Sequence, residues 1–153
     1  MIVKNPPEMV IKTNKTIFFA GSIEMGTAED WQKALIQELG DLDVTVLNPR
    51  RDDWDSSWEQ TKQNKPFFDQ VNWELEGILE TADIICFYFD ANTKSPITLL
   101  ELGLALAAKK EIAVFCTNEF WRKGNVDITC NRYGVEVFED FNLFVSNLRS
   151  RLT

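Results

Sequence analysis

Glu101 is the residue whose type and setting point most directly to chemistry. From Ser95 to Ala108 the chain reads SPITLLELGLALAA, and Glu101 is the only charged position in that stretch. A helix that is apolar nearly all round is normally buried, so its carboxylate is drawn out of water with it. Burial raises a carboxyl pKa and suits the group to nucleophilic or acid/base work; the plainer alternative is a structural Glu hydrogen-bonded at the helix start. Two more carboxylates could converge on it. Asp90 closes the apolar run IICFYF, and Glu74 borders the stripe made by Val71 and Ile78. Taken singly, each reads equally well as a strand-end turn residue or a solvated helix Glu. Histidine is absent, which removes Ser-His-Asp and Cys-His nucleophiles and His-ligated zinc. Converging carboxylates without histidine or metal suit glycosyl transfer or hydrolysis, where one stabilises or attacks an oxocarbenium-like centre and the other handles the proton. Neither a metal nor a cofactor is called for.

Other candidates lie in loops. Gly21-Ser22-Ile23-Glu24-Met25-Gly26 joins a strand to a helix, and its amides and the Ser22 hydroxyl could hold sugar hydroxyls or a phosphate. A plain tight turn is the competing reading; the P-loop lysine is missing, and Glu24 would repel an anion. Arg50 and Arg51 precede Trp54 and Trp58 in a long polar segment, NPRRDDWDSSWEQTKQNK. Such aromatic residues can stack on nucleobases, or can equally pack on another subunit or on the domain itself. Segments of that length inside compact domains are commonly lids or binding loops.

These residues need elements to hold them. Thr16–Ala20, Val44–Leu47, the run IICFYF, Ile112–Cys116 and Val135–Phe138 read as strands. Between them, Thr27 to Asp30 cap a helix carrying Trp31, Leu35 and Leu39, and Pro66 opens a helix running to Ala82. Ser95 and Pro96 start a third helix reaching Lys110, and Phe141, Phe144, Val145 and Leu148 mark a closing one. The alternation predicts a five-stranded, mostly parallel, doubly wound sheet of flavodoxin-like or Rossmann-like type. Ligands of such sheets bind at the carboxyl ends of the strands, where Gly21, Asn48, Asp90 and Thr117 fall. Residues 1–14 are polar and proline-bearing and read as a loose tail, leaving one domain over 15–153.

Composition narrows the function further. The 153 residues carry 24 acidic and 16 basic side chains, a net charge of −8, which disfavours nucleic acid and anionic membranes as partners. No apolar run approaches the roughly 18 to 20 residues of a membrane span. Cys86, Cys116 and Cys130 are an odd number without close spacing, as expected of reduced core thiols in a cytoplasmic protein.

SPITLLELGLALAAKK, with FFAGSI, NPRRDDW and ELEGILETADIICFYF, resembles the nucleoside 2-deoxyribosyltransferase family and its relatives over about Thr16 to Ile128. The ELG-x-A motif around Glu101 is the specific part. The resemblance implies base exchange on a 2-deoxyribonucleoside by double displacement, with Glu101 as the nucleophile that becomes covalently glycosylated. Glu74 matches approximately the family's acidic residue on the preceding helix, and either it or Asp90 would then protonate the leaving base, with Gly21 and Ser22 on the sugar and Ser95 at the substrate; Arg50 and Trp54, which have no secure counterpart in the family, are substrate contacts on the reading of the loop alone. Asn125 matches an Asn that transferases insert into a neighbouring subunit's site, which implies a homo-oligomer. Where the better-known transferases have an acidic residue six positions before the nucleophile, this chain has Ser95. A related group, the 2-deoxynucleoside 5-phosphate N-hydrolases, has a serine there and begins with a GSI-type loop. That leaves a nucleotide hydrolase as the alternative activity and a non-catalytic nucleotide-binding module as the alternative class. Partners on all three readings are small nucleosides, nucleotides or free bases.

Overall fold

The computed structural model describes residues 1–12, 14–23 and 30–153. Its strands follow the β-branched and aromatic runs: β1 Ile2–Lys4, β2 Lys15–Gly21, β3 Val44–Leu47, β4 Ile84–Phe89, β5 Glu111–Cys116 and β6 Val137–Phe138. The sheet has six strands in the order β1-β3-β2-β4-β5-β6, and every pairing is parallel. The expected count of five is thus corrected to six. The additional strand comes from the segment read as a loose tail, because Ile2, Val3 and Lys4 find an open edge on β3, opposite Thr45, Val46 and Leu47.

Helices α1 (Trp31–Leu39) and α5 (Phe141–Leu152) cover one face; α2 (Lys65–Glu76), α3 (Pro96–Ala107) and α4 (Lys123–Arg132) cover the other. Alternate strand residues serve the two sides, as the pleat requires. Phe18, Ile85, Phe87 and Val114 point toward α2 and α3, and Ile17, Phe19, Ile84 and Phe115 toward α1 and α5. All three cysteines are buried and unpaired by disulfide.

Three elements differ from expectation. The helix from Pro66 was expected to run to Ala82, but α2 gives way at Gly77 to a π-helical turn, Gly77–Thr81. A Cβ at Gly77 would lie 2.7 Å from two ring carbons of the buried Phe18, so the chain approaches the sheet here as only glycine permits. Helix α4 was not foreseen, since KGNVDITCNR carries no apolar period beyond Val126 and Cys130, its two buried residues. Val135 and Glu136 lie outside β6, which starts at Val137. The cap expected at Thr27, like Glu24 and Gly26, lies outside the described residues; within them, Asp30 caps α1 by accepting from Lys33 N at 3.1 Å.

Candidate active site

The parallel sheet brings the carboxyl ends of β2, β3, β4 and β5 to one edge, and each candidate residue can be placed relative to it. β2 ends at Gly21, where a Cβ would meet Trp31 Cζ2 at 2.5 Å and the Tyr88 carbonyl at 2.7 Å. Glycine therefore lets the Trp31 ring stack flat on Tyr88, with centroids 4.7 Å apart and planes 2° from parallel. The same indole donates its N–H to the Ser22 carbonyl at 3.0 Å, while Ser22 N donates to the Tyr88 carbonyl at 3.3 Å. Ser22 is held by backbone and ring together.

Its hydroxyl belongs to a buried cluster. Ser22 Oγ lies 2.6 Å from Thr93 Oγ1 and in hydrogen-bond contact with Ser95 Oγ, and the Thr93 and Ser95 hydroxyls are 2.9 Å apart. Thr93 also donates to the Asp90 carbonyl at 3.1 Å. Asp90 thus opens the turn that carries Thr93. Ser95 was expected to cap α3 with its side chain; instead it adopts φ 49°, in the left-handed region, makes no side-chain cap bond and turns its hydroxyl into the cluster. That backbone is uncommon for a non-glycine residue and is held by the surrounding structure.

Glu101 sits in the second turn of α3 and is buried. Desolvation, reinforced by the nearby Glu74 charge, lifts its carboxyl from 4.5 to about 8. Glu74, on α2, is partly exposed as a residue, yet desolvation of its carboxyl pushes it up to about 7. A hydrogen bond from Gln70 opposes that rise. Burial thus raises both carboxyls, and the Glu74 charge raises Glu101 further. Of the two acid/base candidates, Glu74 is the one whose charge acts on Glu101. Asp90 is half-buried at the end of β4, and its carbonyl serves the Thr93 turn.

The long loop after β3 packs largely on itself. Trp54 meets Trp58 edge-on at 4.9 Å, and the Arg51 guanidinium lies 5.5 Å over Trp58 while pairing with Asp53 at 2.6 Å. Arg50 lies at the start of α1, 3.5 Å from Gln32 Oε1 and 4.0 Å from Asp30. The loop's origin is clamped from the N-terminal segment: Asn5 donates to the Asn48 carbonyl at 3.0 Å and to the Arg50 carbonyl at 2.9 Å. Asn125 is exposed in the first turn of α4; just before that helix, the Trp121 ring receives Lys94 Nζ at 4.4 Å and the Arg122 guanidinium at 4.2 Å.

Three polar residues were missed by sequence reasoning. Thr93 completes the hydroxyl cluster; Gln32, fully buried, leaves Nε2 without a partner among the described residues; and Gln70, nearly buried, binds Glu74 at 2.7 Å. Only Gln70 had a sequence signal, its position four residues before Glu74 on one helix. Among the described residues no group of three or more His, Cys, Asp or Glu side chains is placed to hold a metal ion. No helix of the described residues is long and apolar enough to cross a membrane.

Comparison with known proteins bears on this arrangement. Residues 14–120 match the sequence model of the family described as nucleoside 2-deoxyribosyltransferase like. Comparison with curated proteins returns no match. Among solved structures, a conserved protein from Enterococcus faecalis V583 is similar with a TM-score of 0.61 and 15% identity, over 92% of this chain and 100% of that one. The CMP N-glycosidase of Clostridium botulinum is similar with a TM-score of 0.58 and 17% identity, over 90% of this chain and 100% of that one. At such identities the structural likeness concerns the fold, and both cover nearly the whole of this chain.

Proposed function

Because the chain belongs to the nucleoside 2-deoxyribosyltransferase-like family, we propose that it breaks the N-glycosidic bond of a small nucleoside or nucleotide and transfers the 2-deoxyribosyl group to a second base through Glu101. The observation that carries this is the placing of Glu101 and Glu74 on two helices that cover one face of the sheet, both carboxyls desolvated and raised, to about 8 and about 7, with the Glu74 charge acting on Glu101. Between its two ionisations such a pair holds one proton, which is the complement double displacement needs. Glu101 attacks the anomeric carbon as the carboxylate, the C–N bond breaks, and the leaving base takes the proton from Glu74. A glycosyl ester on Glu101 results. A second base then attacks the same carbon, returns its proton to Glu74 and frees Glu101, so configuration is retained.

Developing positive charge at the sugar favours an ionised Glu101 at the moment of reaction and moves the shared proton to Glu74. Ser22 and the hydroxyls of Thr93 and Ser95 would meet the sugar or its 5-phosphate, and Arg50 with Gln32 would line the approach from α1. Trp54 would face the base from the loop. Hydrolysis is the second reading: it is favoured by the neutral hydroxyl cluster standing where the transferases have an acid, and by the likeness to a CMP N-glycosidase. Water replaces the second base in that case.

A homo-oligomer in the cytoplasm, with Asn125 reaching a neighbouring site, is part of the proposal. The outward face of α3 supports it, since Pro96, Ile97, Leu100, Gly103, Leu104, Ala107 and Ala108 are exposed and none is polar. The test is incubation with a 2-deoxynucleoside, or its 5-phosphate, together with a different free base, followed by chromatography, with Glu101→Ala alongside. A new nucleoside that vanishes in the variant supports transfer, and free base alone supports hydrolysis. Absence of both products from every substrate would overturn the catalytic reading.

A further inference from the structure

Gln70 stands between the loop and the carboxylate pair, and its amide is nearly saturated. Nε2 donates to Glu74 Oε1 at 2.7 Å and to the Pro49 carbonyl at 3.3 Å, and Oε1 accepts from Arg51 Nη1 at 3.4 Å. The neighbours dictate this orientation. A carboxylate and a carbonyl both require N–H groups, whereas a guanidinium requires an oxygen. Turning the amide over would lose three interactions together. The residue is 6% exposed, so an alternative partner in water is not at hand, and a buried amide deprived of partners is costly.

We propose that Gln70 is a positioning residue that holds Glu74 Oε1 as a hydrogen-bond acceptor, so that the catalytic proton is carried on Oε2, and that ties this orientation to the loop through Pro49 and Arg51. The inference rests on the role given above to Glu74 as the acid. A protonated carboxyl has one hydroxyl oxygen and one carbonyl oxygen, and an N–H donor fixed on Oε1 reserves that atom as the carbonyl. The bond also favours the ionised carboxylate, and so restrains the rise in pKa that burial imposes. Arg51 is itself anchored by Asp53 and lies over Trp58. The loop after β3 therefore reports on the carboxyl pair through a single amide. Among the described residues the charged groups named around Glu74 are Glu101 on α3, whose own carboxyl the Glu74 charge raises, and Arg51 behind Gln70.

The test uses Gln70→Met, which keeps length and loses the donor, and Gln70→Glu, which restores an acceptor toward Arg51 and sets a carboxylate against Glu74. Two readouts are taken on the full chain: carbon-detected NMR titration of the Glu74 and Glu101 carboxyls, and the pH profile of kcat on whichever substrate the native protein turns over. Loss of a hydrogen bond to a charged group raises the Glu74 titration by about one to two pH units in Gln70→Met. The basic limb of kcat moves up with it, while kcat on the plateau falls about tenfold and KM holds, because the proton is present and no longer aimed. Gln70→Glu lowers kcat further. Arg51→Met gives a smaller shift in the same direction.

Titration and basic limb unchanged in a folded Gln70→Met protein would overturn the proposal, as would a loss confined to KM. The titration does not depend on turnover. A native protein inactive on every nucleoside and nucleotide would overturn the functional reading, and the titration of Glu74 would still decide whether Gln70 governs its carboxyl.

Discussion

Replacing Glu101 by Gln should stabilise the fold at alkaline pH while abolishing turnover. The folded protein raises this carboxyl from 4.5 to about 8, so between those values the native state binds a proton that the unfolded chain has released. Stability from this source is complete below about pH 4.5 and falls as pH rises through 8. At about 1.4 kcal/mol per pH unit, the ionised buried carboxylate costs the native state on the order of 5 kcal/mol at pH 9. Local relaxation and water entry reduce this, and about 2 to 5 kcal/mol is expected. A neutral amide of the same shape removes the cost. For a chain of this size each kcal/mol moves Tm by roughly 2 to 4 °C, so Glu101→Gln should melt about 4 to 20 °C above the native protein at pH 9. At pH 4.5 the two should agree within roughly 1 kcal/mol, since both side chains are then neutral. Differential scanning fluorimetry across pH 4.5 to 9, with urea unfolding at both ends, reads the effect. A Tm difference independent of pH would refute desolvation of Glu101, and with it the reason for choosing this residue as the reacting group.

Other consequences follow from packing. Gly77→Ala places a methyl 2.7 Å from the Phe18 ring and should destabilise by about 1 to 3 kcal/mol in urea unfolding; an unchanged midpoint would mean that the π-helical turn does not need glycine. Leu100→Glu puts charge on the apolar outer face of α3, where Leu100 is 60% exposed, and should lower the mass seen by light scattering while leaving the monomer folded; an unchanged mass would remove α3 from the interface. Ser22→Ala leaves the Thr93 and Ser95 hydroxyls with one partner fewer and should weaken substrate binding about tenfold, a loss of roughly 1 to 1.5 kcal/mol. A greater loss with a 5-phosphate than with the free nucleoside would favour the nucleotide reading, and equal losses would assign Ser22 to the sugar.

Much of this protein was legible in one dimension, because strand and helix periods are local. The apolar runs ending at Gly21, Leu47, Phe89 and Cys116 placed four strands of a parallel sheet, and the lone charge in SPITLLELGLALAA marked Glu101 as a buried carboxyl, although the helix that carries it buries only its inner face. Absence of histidine confines acid/base chemistry to other groups. Where the local signal was weak, the tertiary structure decided. Ile2–Lys4 is a strand because β3 offers an edge, and Asn5 thereby reaches the loop at Asn48 and Arg50. Helix α4 forms on two buried residues, Val126 and Cys130, too few to mark a period in the sequence. Choosing between Asp90 and Glu74 as the neighbour of Glu101 required α2 and α3 to be set side by side, since the residues lie on different elements and the field of a charge depends on distance through the fold. The bonds of Gln70 to Pro49 and Arg51, and the meeting of Ser22 with Thr93 and Ser95, link positions far apart in the chain. Residue type and spacing determine which groups can react; only the packed sheet determines which of them lie close enough for one charge to act on another.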